Sequence, residues 1–106
     1  MILEAVMINV LRGLEDDFEA GFLAAQKIIV GSPGYISHEL HRCLEHPNRY
    51  LLLVRWETVE ANIDGFRKSD EYRRWKALLH PYYDPFPEIN YFTTVTSAGQ
   101  SEFTSE

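Results

Sequence analysis

The spacing of apolar residues in this chain switches between the period of a strand and the period of a helix, and the order of the switches restricts the fold more than any single motif. Ile2 to Leu11 is rich in β-branched and long apolar residues with Glu4 and Asn9 as its only polar interruptions, as expected of a strand covered on both faces. From Leu14 the period lengthens: Leu14, Phe18, Phe22, Ala25 and Ile29 share one helical face. Acids at the start of that segment and Lys27 near its end agree with the helix dipole. Gly31-Ser32-Pro33-Gly34 stops the helix and turns the chain.

Tyr35 to Leu44 alternates by parity, with Ile36, His38, Leu40, Arg42 and Leu44 on one side and Tyr35, Ser37, Glu39, His41 and Cys43 on the other. A short link, Glu45-His46-Pro47-Asn48, leads to a third strand, Arg49 to Trp56, so these two strands pair antiparallel. Thr58 is the expected N-cap of a helical stripe of Val59, Ile63 and Phe66, which pauses around Gly65 to Lys68. Ser69 caps a second segment carrying Tyr72, Trp75 and Leu79, which His80-Pro81 ends because a residue before proline leaves the α region. An aromatic, proline-rich loop from Pro81 to Pro87 precedes a last strand around Ile89 to Thr96. The order β-α-β-β-α-β is that of an α+β, ferredoxin-like split β-α-β fold with an antiparallel sheet. Residues 1–97 form one domain in this reading, and 98–106 a flexible tail. Helices cover one face of such a sheet. The other face, apolar in its strands, calls for a second copy, so a homodimer is expected.

The net charge of −6 and the mixed signs around Arg67, Lys68, Asp70, Glu71, Arg73, Arg74 and Lys76 argue against nucleic acid and anionic membranes as partners, since both need a basic face. The single cysteine, Cys43, cannot close an internal disulfide and reads as a small buried hydrophobe. Met1-Ile2-Leu3-Glu4 lacks a basic signal-peptide start, so a cytoplasmic location is expected.

Trp56-Glu57-Thr58, then Gly65-Phe66-Arg67-Lys68-Ser69-Asp70-Glu71-Tyr72 and Trp75, together with Gly13, the Phe-bearing helix and Gly34-Tyr35, resemble the antibiotic biosynthesis monooxygenase (ABM) domain family from about Ile2 to Val95. The resemblance implies a dimeric α+β barrel of two sheets packed face to face. The family also holds haem-degrading enzymes, isomerases and members without an assigned reaction. The haem-degrading branch uses an Asn on the first strand and a Trp and a His on the second helical region. Those positions fall near Val6, Gly65 and Lys76, none of which matches, so haem degradation is disfavoured.

Among the polar residues, His80 ends a helix beside the aromatic loop, where the helix C-terminus would favour its protonated form and a pocket could use it as acid or base. It could equally cap the last carbonyls. His38 is the second catalytic candidate. His38 and His41 are separated by an odd number of strand positions, point to opposite faces and cannot chelate one metal, so no metal is expected. Phe66, Tyr72, Trp75 and Phe86 are expected to hold an aromatic ligand, and Asn9 to donate a hydrogen bond to it. Phosphate, dinucleotide and flavin motifs are absent from the sequence, so no organic cofactor is expected. The function implied by the resemblance is cofactor-independent oxygenation, by dioxygen, of an aromatic or polyketide-like small molecule. Two alternatives stand beside it: a non-catalytic dimeric binding or accessory protein, and a proton-transfer isomerase.

Overall fold

The computed structural model describes residues 1–99 of the chain. Its elements are β1 (Ile2–Asn9), α1 (Glu15–Ile29), β2 (Tyr35–Arg42), β3 (Arg49–Trp56), a π turn (Ala61–Gly65) running into a 3₁₀ turn (Phe66–Lys68), α2 (Asp70–Leu79), a 3₁₀ turn (His80–Tyr82) and β4 (Glu88–Phe92). The four strands form one antiparallel sheet in the order β2-β3-β1-β4. This is the ferredoxin-like arrangement expected from the periodicity. The β1 strand is central because it is bonded to β3 on one side and to β4 on the other.

Both helices lie on the same face of the sheet. Phe18, Phe22, Ala25 and Ile29 of α1 and Trp75 and Leu79 of α2 are buried. They pack with Val6 and Ile8 of β1 and Tyr50, Leu52, Val54 and Trp56 of β3. Ser69 caps α2 by accepting from the Tyr72 N–H at 3.2 Å, and Thr58 accepts from the Ala61 N–H at 3.1 Å, as the sequence suggests.

Some expectations need correction. The β1 strand is covered on one face only within a single chain: Glu4, Val6 and Ile8 are buried, while Met7 and Asn9 on the other parity are exposed. Its strand pairing ends at Asn9, since Val10 donates to Asn48 and Leu11 to Tyr82, which ties the strand end to two loops. The β2 strand stops at Arg42, leaving Leu44 93% exposed in the hairpin. A bulge lies between Tyr35 and Ser37: Tyr35 faces Trp56 and Ser37 already faces Arg55. The extra residue brings Tyr35 onto the same face as His38, contrary to strict parity. The stripe through Val59 and Ile63 is displaced too, because the wider π turn rotates the chain so that Asn62 is buried and Ile63 is 40% exposed. The last strand runs Glu88–Phe92 rather than to Thr96. Of the expected tail, residues 100–106 lie outside the described residues. Among the described residues, no helix is long and apolar enough to cross a membrane.

Gly34, which leads into β2, has φ +84°, and a Cβ built on it would lie 2.5 Å from the Ala61 side chain. A side chain there meets both a left-handed backbone, worth about 1–2 kcal/mol, and a steric conflict of about 1–3 kcal/mol. Gly34→Ala should therefore lower the unfolding free energy by roughly 2–4 kcal/mol in urea titration, with an unchanged spectrum of the native state.

Candidate functional site

A narrow cavity of about 50 Å³ lies between the helix-covered face of the sheet and the segment from the π turn to the proline-rich loop. Its floor is strand: Glu4, Val6 and Ile8 from β1, Leu52 from β3 and Ile89 from β4. Its walls are Asn62 from the π turn, Phe66 and Arg67 from the 3₁₀ turn, Tyr72, Trp75 and Leu79 from α2, and Tyr83, Phe86 and Pro87 from the loop. Phe66 is the hub of the aromatic wall. Its ring meets Tyr72 at 5.3 Å and Trp75 at 5.7 Å, both in the edge-to-face geometry that aromatic quadrupoles favour, and Trp56 at 5.9 Å with the planes tilted by 34°.

The cavity has a polar end. Glu4 is 6% exposed, and its Oε1 accepts a hydrogen bond from Trp56 Nε1 at 2.9 Å. Burial raises the Glu4 pKa above the ordinary carboxylate value, with the Trp56 hydrogen bond and the charge of Arg67 opposing that rise. Asn62, 2% exposed, accepts a hydrogen bond from the Tyr91 hydroxyl. With its carbonyl oxygen so engaged, what Asn62 offers a ligand is its amide N–H. Burial also raises the pKa of Tyr83 and Tyr91, so both are neutral donors near pH 7.

Phe66, Tyr72, Trp75 and Phe86, expected from the sequence to hold a ligand, come together around this cavity. His80 stands behind the wall, its ring 5.4 Å from Tyr83 and 5.6 Å from Phe86. Its pKa is lowered, first by burial and then by Lys76, the reverse of what the helix C-terminus alone suggests. His38 belongs to a different place, an open groove of about 510 Å³ between α1 and the β2 edge. There its Nδ1 meets Tyr35 Oη at 2.5 Å and its Nε2 meets Gln26 Oε1 at 2.9 Å. Burial lowers its pKa. A neutral ring carrying its proton on Nε2 satisfies both partners, Tyr35 donating and Gln26 accepting. The Phe22 ring touches both His38 and Trp75 and so stands between groove and cavity.

Asn9 lies on the uncovered face of the sheet, where Arg49 Nε donates to its Oδ1 at 3.4 Å. Strand parity puts it opposite to the cavity, so it cannot donate to a ligand held there within the same chain. His41 pairs with Glu39 at 2.7 Å, and Cys43 is half-buried near Glu45 at the hairpin rather than in the core. The groups that the sequence did not single out are Glu4, Asn62, Arg67 and Tyr91. Glu4 carried a signal, a polar residue sharing its parity with Val6 and Ile8. Nothing in the periodicity points to Asn62. Among the described residues, no three His, Cys, Asp or Glu side chains converge as a metal site would need.

The family model for antibiotic biosynthesis monooxygenase matches residues 1–78. The uncharacterized protein YczJ of Bacillus subtilis is 50% identical over 95 residues, covering 90% of this chain and 100% of that protein. A crystal structure from Bordetella bronchiseptica that carries the same family name superposes with a TM-score of 0.87 at 35% identity, over 90% of this chain and 97% of that one. SnoaB, a cofactor-independent oxygenase from Streptomyces nogalater, shares the fold at 18% identity, with a TM-score of 0.81 over 93% of this chain and 97% of its own. With the family model spanning most of the chain and a half-identical relative aligned along its whole length, this chain belongs to the antibiotic biosynthesis monooxygenase family.

Proposed function

We propose that this chain is a cofactor-independent monooxygenase that oxidises a small aromatic or polyketide-like molecule with dioxygen, and that it works as a homodimer. The observation that carries the reading is the cavity itself: edge-to-face aromatic rings along its length, and at one end a buried carboxylate and amide with a half-buried guanidinium. Such a wall suits a flat ring, and such an end suits the oxygen on it. An activated methylene of the anthrone kind needs no added reductant. Two C–H bonds of the substrate and one dioxygen become one C=O and one water, with the electrons supplied by the substrate's own anion. In this reading the Asn62 amide, which borders the cavity, donates to the developing oxyanion.

At about 50 Å³ the cavity has room for water but not for such a ring. Ligand entry then displaces the loop carrying Tyr83, Phe86 and Pro87, of which Phe86 is already 51% exposed. His80, neutral and packed against Tyr83 and Phe86, acts in this reading as a positioning residue for that loop. A proton-transfer isomerase would use the same polar end but would consume no dioxygen.

The homodimer reading rests on the uncovered face, where Leu3, Ala5 and Met7 of β1 lie beside Leu51 and Leu53 of β3 and Phe92 of β4. Glu39, His41 and Arg55 surround that apolar centre. A second copy facing it buries both patches at once.

Oxygen-electrode traces of protein mixed with anthrone in air should exceed the protein-free rate, and Asn62→Ala should lower kcat/KM by about 10²–10³-fold. Uptake at the protein-free rate would reject this substrate class. His80→Ala should raise KM more than it lowers kcat, since the loop loses its support while the polar end stays whole. Light scattering at micromolar concentration should give the mass of two chains, and Leu53→Arg, which drives a charge into the facing patch, should give the mass of one.

A further inference from the structure

We propose that Glu4 is the proton acceptor of the cavity: its carboxylate takes the proton of a phenolic or enolisable substrate, and Arg67 faces the oxyanion so formed. The inference rests on the oxygenase reading only for what happens to that oxyanion afterwards.

The geometry begins with strand parity. Glu4 lies at the centre of the sheet, opposite Val54 on one side and Tyr91 on the other, and its side chain joins Val6 and Ile8 on the floor of the cavity. One carboxylate oxygen accepts from Trp56, and among the described residues no second hydrogen-bond donor reaches the group. The Trp56 N–H by itself does not require a charge, since a glutamine oxygen would satisfy it equally at no cost in ion desolvation. A buried carboxyl group that its structural partner does not need has another use. From the elements packed around it, the Trp56 N–H, the Arg67 guanidinium and the Tyr91 hydroxyl act on Glu4, while Asn62, Tyr72 and Tyr83 line the same cavity. Arg67 is the only one of these that carries a charge near pH 7, and it opposes the rise that burial produces in the Glu4 pKa.

In the step itself the substrate's O–H or C–H bond breaks, its electron pair stays on the substrate, and an O–H bond forms on Glu4. The cavity exchanges a carboxylate for a substrate oxyanion beside the same guanidinium, so its net charge does not change and no further ion is desolvated. Burial brings the carboxyl pKa closer to that of a phenol, which is the direction that makes proton transfer efficient.

The probe is 4-nitrophenol, whose anion is coloured and whose neutral form is not, buffered below its own pKa. Bound to the wild type it should show the phenolate band, and bound to Glu4→Gln at saturating probe it should stay colourless. A colourless wild-type complex, equal colour in Glu4→Gln, or no binding to the wild type at millimolar probe would each overturn the assignment. A second measurement needs no ligand. Because the folded pKa of Glu4 is above its unfolded value of 4.5, the folded state holds more protons between the two, and wild-type stability falls as pH rises through that window. Glu4→Gln removes that loss, so its unfolding midpoint should move above the wild type's increasingly as pH rises from 4.5. Parallel curves would overturn the buried charge on which the assignment depends. Oxygen uptake separates this inference from the oxygenase reading. A wild type that ionises bound nitrophenol but takes up no oxygen with anthrone keeps Glu4 as acceptor and rejects oxygenation of the anthrone class. In a wild type that does take up oxygen, Glu4→Gln should lower kcat by about 10²–10⁴-fold with little change in KM, and an unchanged kcat would remove Glu4 from the mechanism.

Discussion

The hydrogen bond from Trp56 to Glu4 joins the parts of the molecule that the cavity needs. Trp56 is fully buried at the end of β3, with Tyr35 of β2 against it at 6.1 Å and Phe66 at 5.9 Å. Its indole therefore fixes the edge of the sheet to the start of the second helical region, and its N–H fixes the carboxylate of β1. Truncating a buried tryptophan costs about 3–5 kcal/mol in packing alone. Here it would also leave the buried Glu4 carboxyl without its hydrogen bond, a further loss in a low-dielectric interior. An ionised carboxylate at the centre of a sheet costs stability, and burial raises the Glu4 pKa accordingly; a polar group held at the expense of stability is what functional constraint produces.

The π turn is the second device that makes the cavity. A regular α-helix through Val59, Ile63 and Phe66 would bury Ile63 and give the cavity an apolar end. The wider turn at Ala61–Gly65 buries Asn62 in its place, where the Tyr91 hydroxyl secures it. Single π turns of this kind recur at functional sites because they change which residue faces inward without ending the helix. Gly34 then packs against Ala61 with no room for a side chain, so the β2 entry and the π turn are fitted to one another.

How much of this could be read from the sequence follows from how local each cause is. The stripe Phe18, Phe22, Ala25, Ile29 and the caps Thr58 and Ser69 depend on neighbours three or four residues apart, and the structure has them where periodicity puts them. The aromatic set Phe66, Tyr72, Trp75 and Phe86 was visible because large rings near a loop have few places to go. Asn9 and Glu4 show the opposite case. Both are polar residues in the same strand, and only parity, counted from buried Val6 and Ile8, separates the one on the open face from the one in the cavity. The bulge after Tyr35 and the π turn at Asn62 each insert one residue into a regular period. No residue type signals them, so Tyr35 meeting His38 and Asn62 turning inward are properties of the packed chain.

The cavity divides into a part that is held and a part that is not. Glu4 and Trp56 lie on strands, Asn62 is secured by Tyr91 from a neighbouring strand, and Phe66 is locked by three rings. Tyr83, Phe86 and Pro87 belong to a loop tied back chiefly by the pairing of Tyr83 with Val10 and by contacts to His80. Groups that move protons or stabilise charge need positions kept to a fraction of an ångström, whereas groups that admit a ring need only yield and close again. Placing the first kind on the sheet and on the turns packed against it, and the second on the loop, would let the site enlarge without disturbing the carboxylate, the amide or the guanidinium. On the proposed function, substitutions at Phe86 or Pro87 would change which molecule enters while Trp56 and Glu4 keep the same relation, a division of labour in which the scaffold holds the chemistry and the loop selects the substrate.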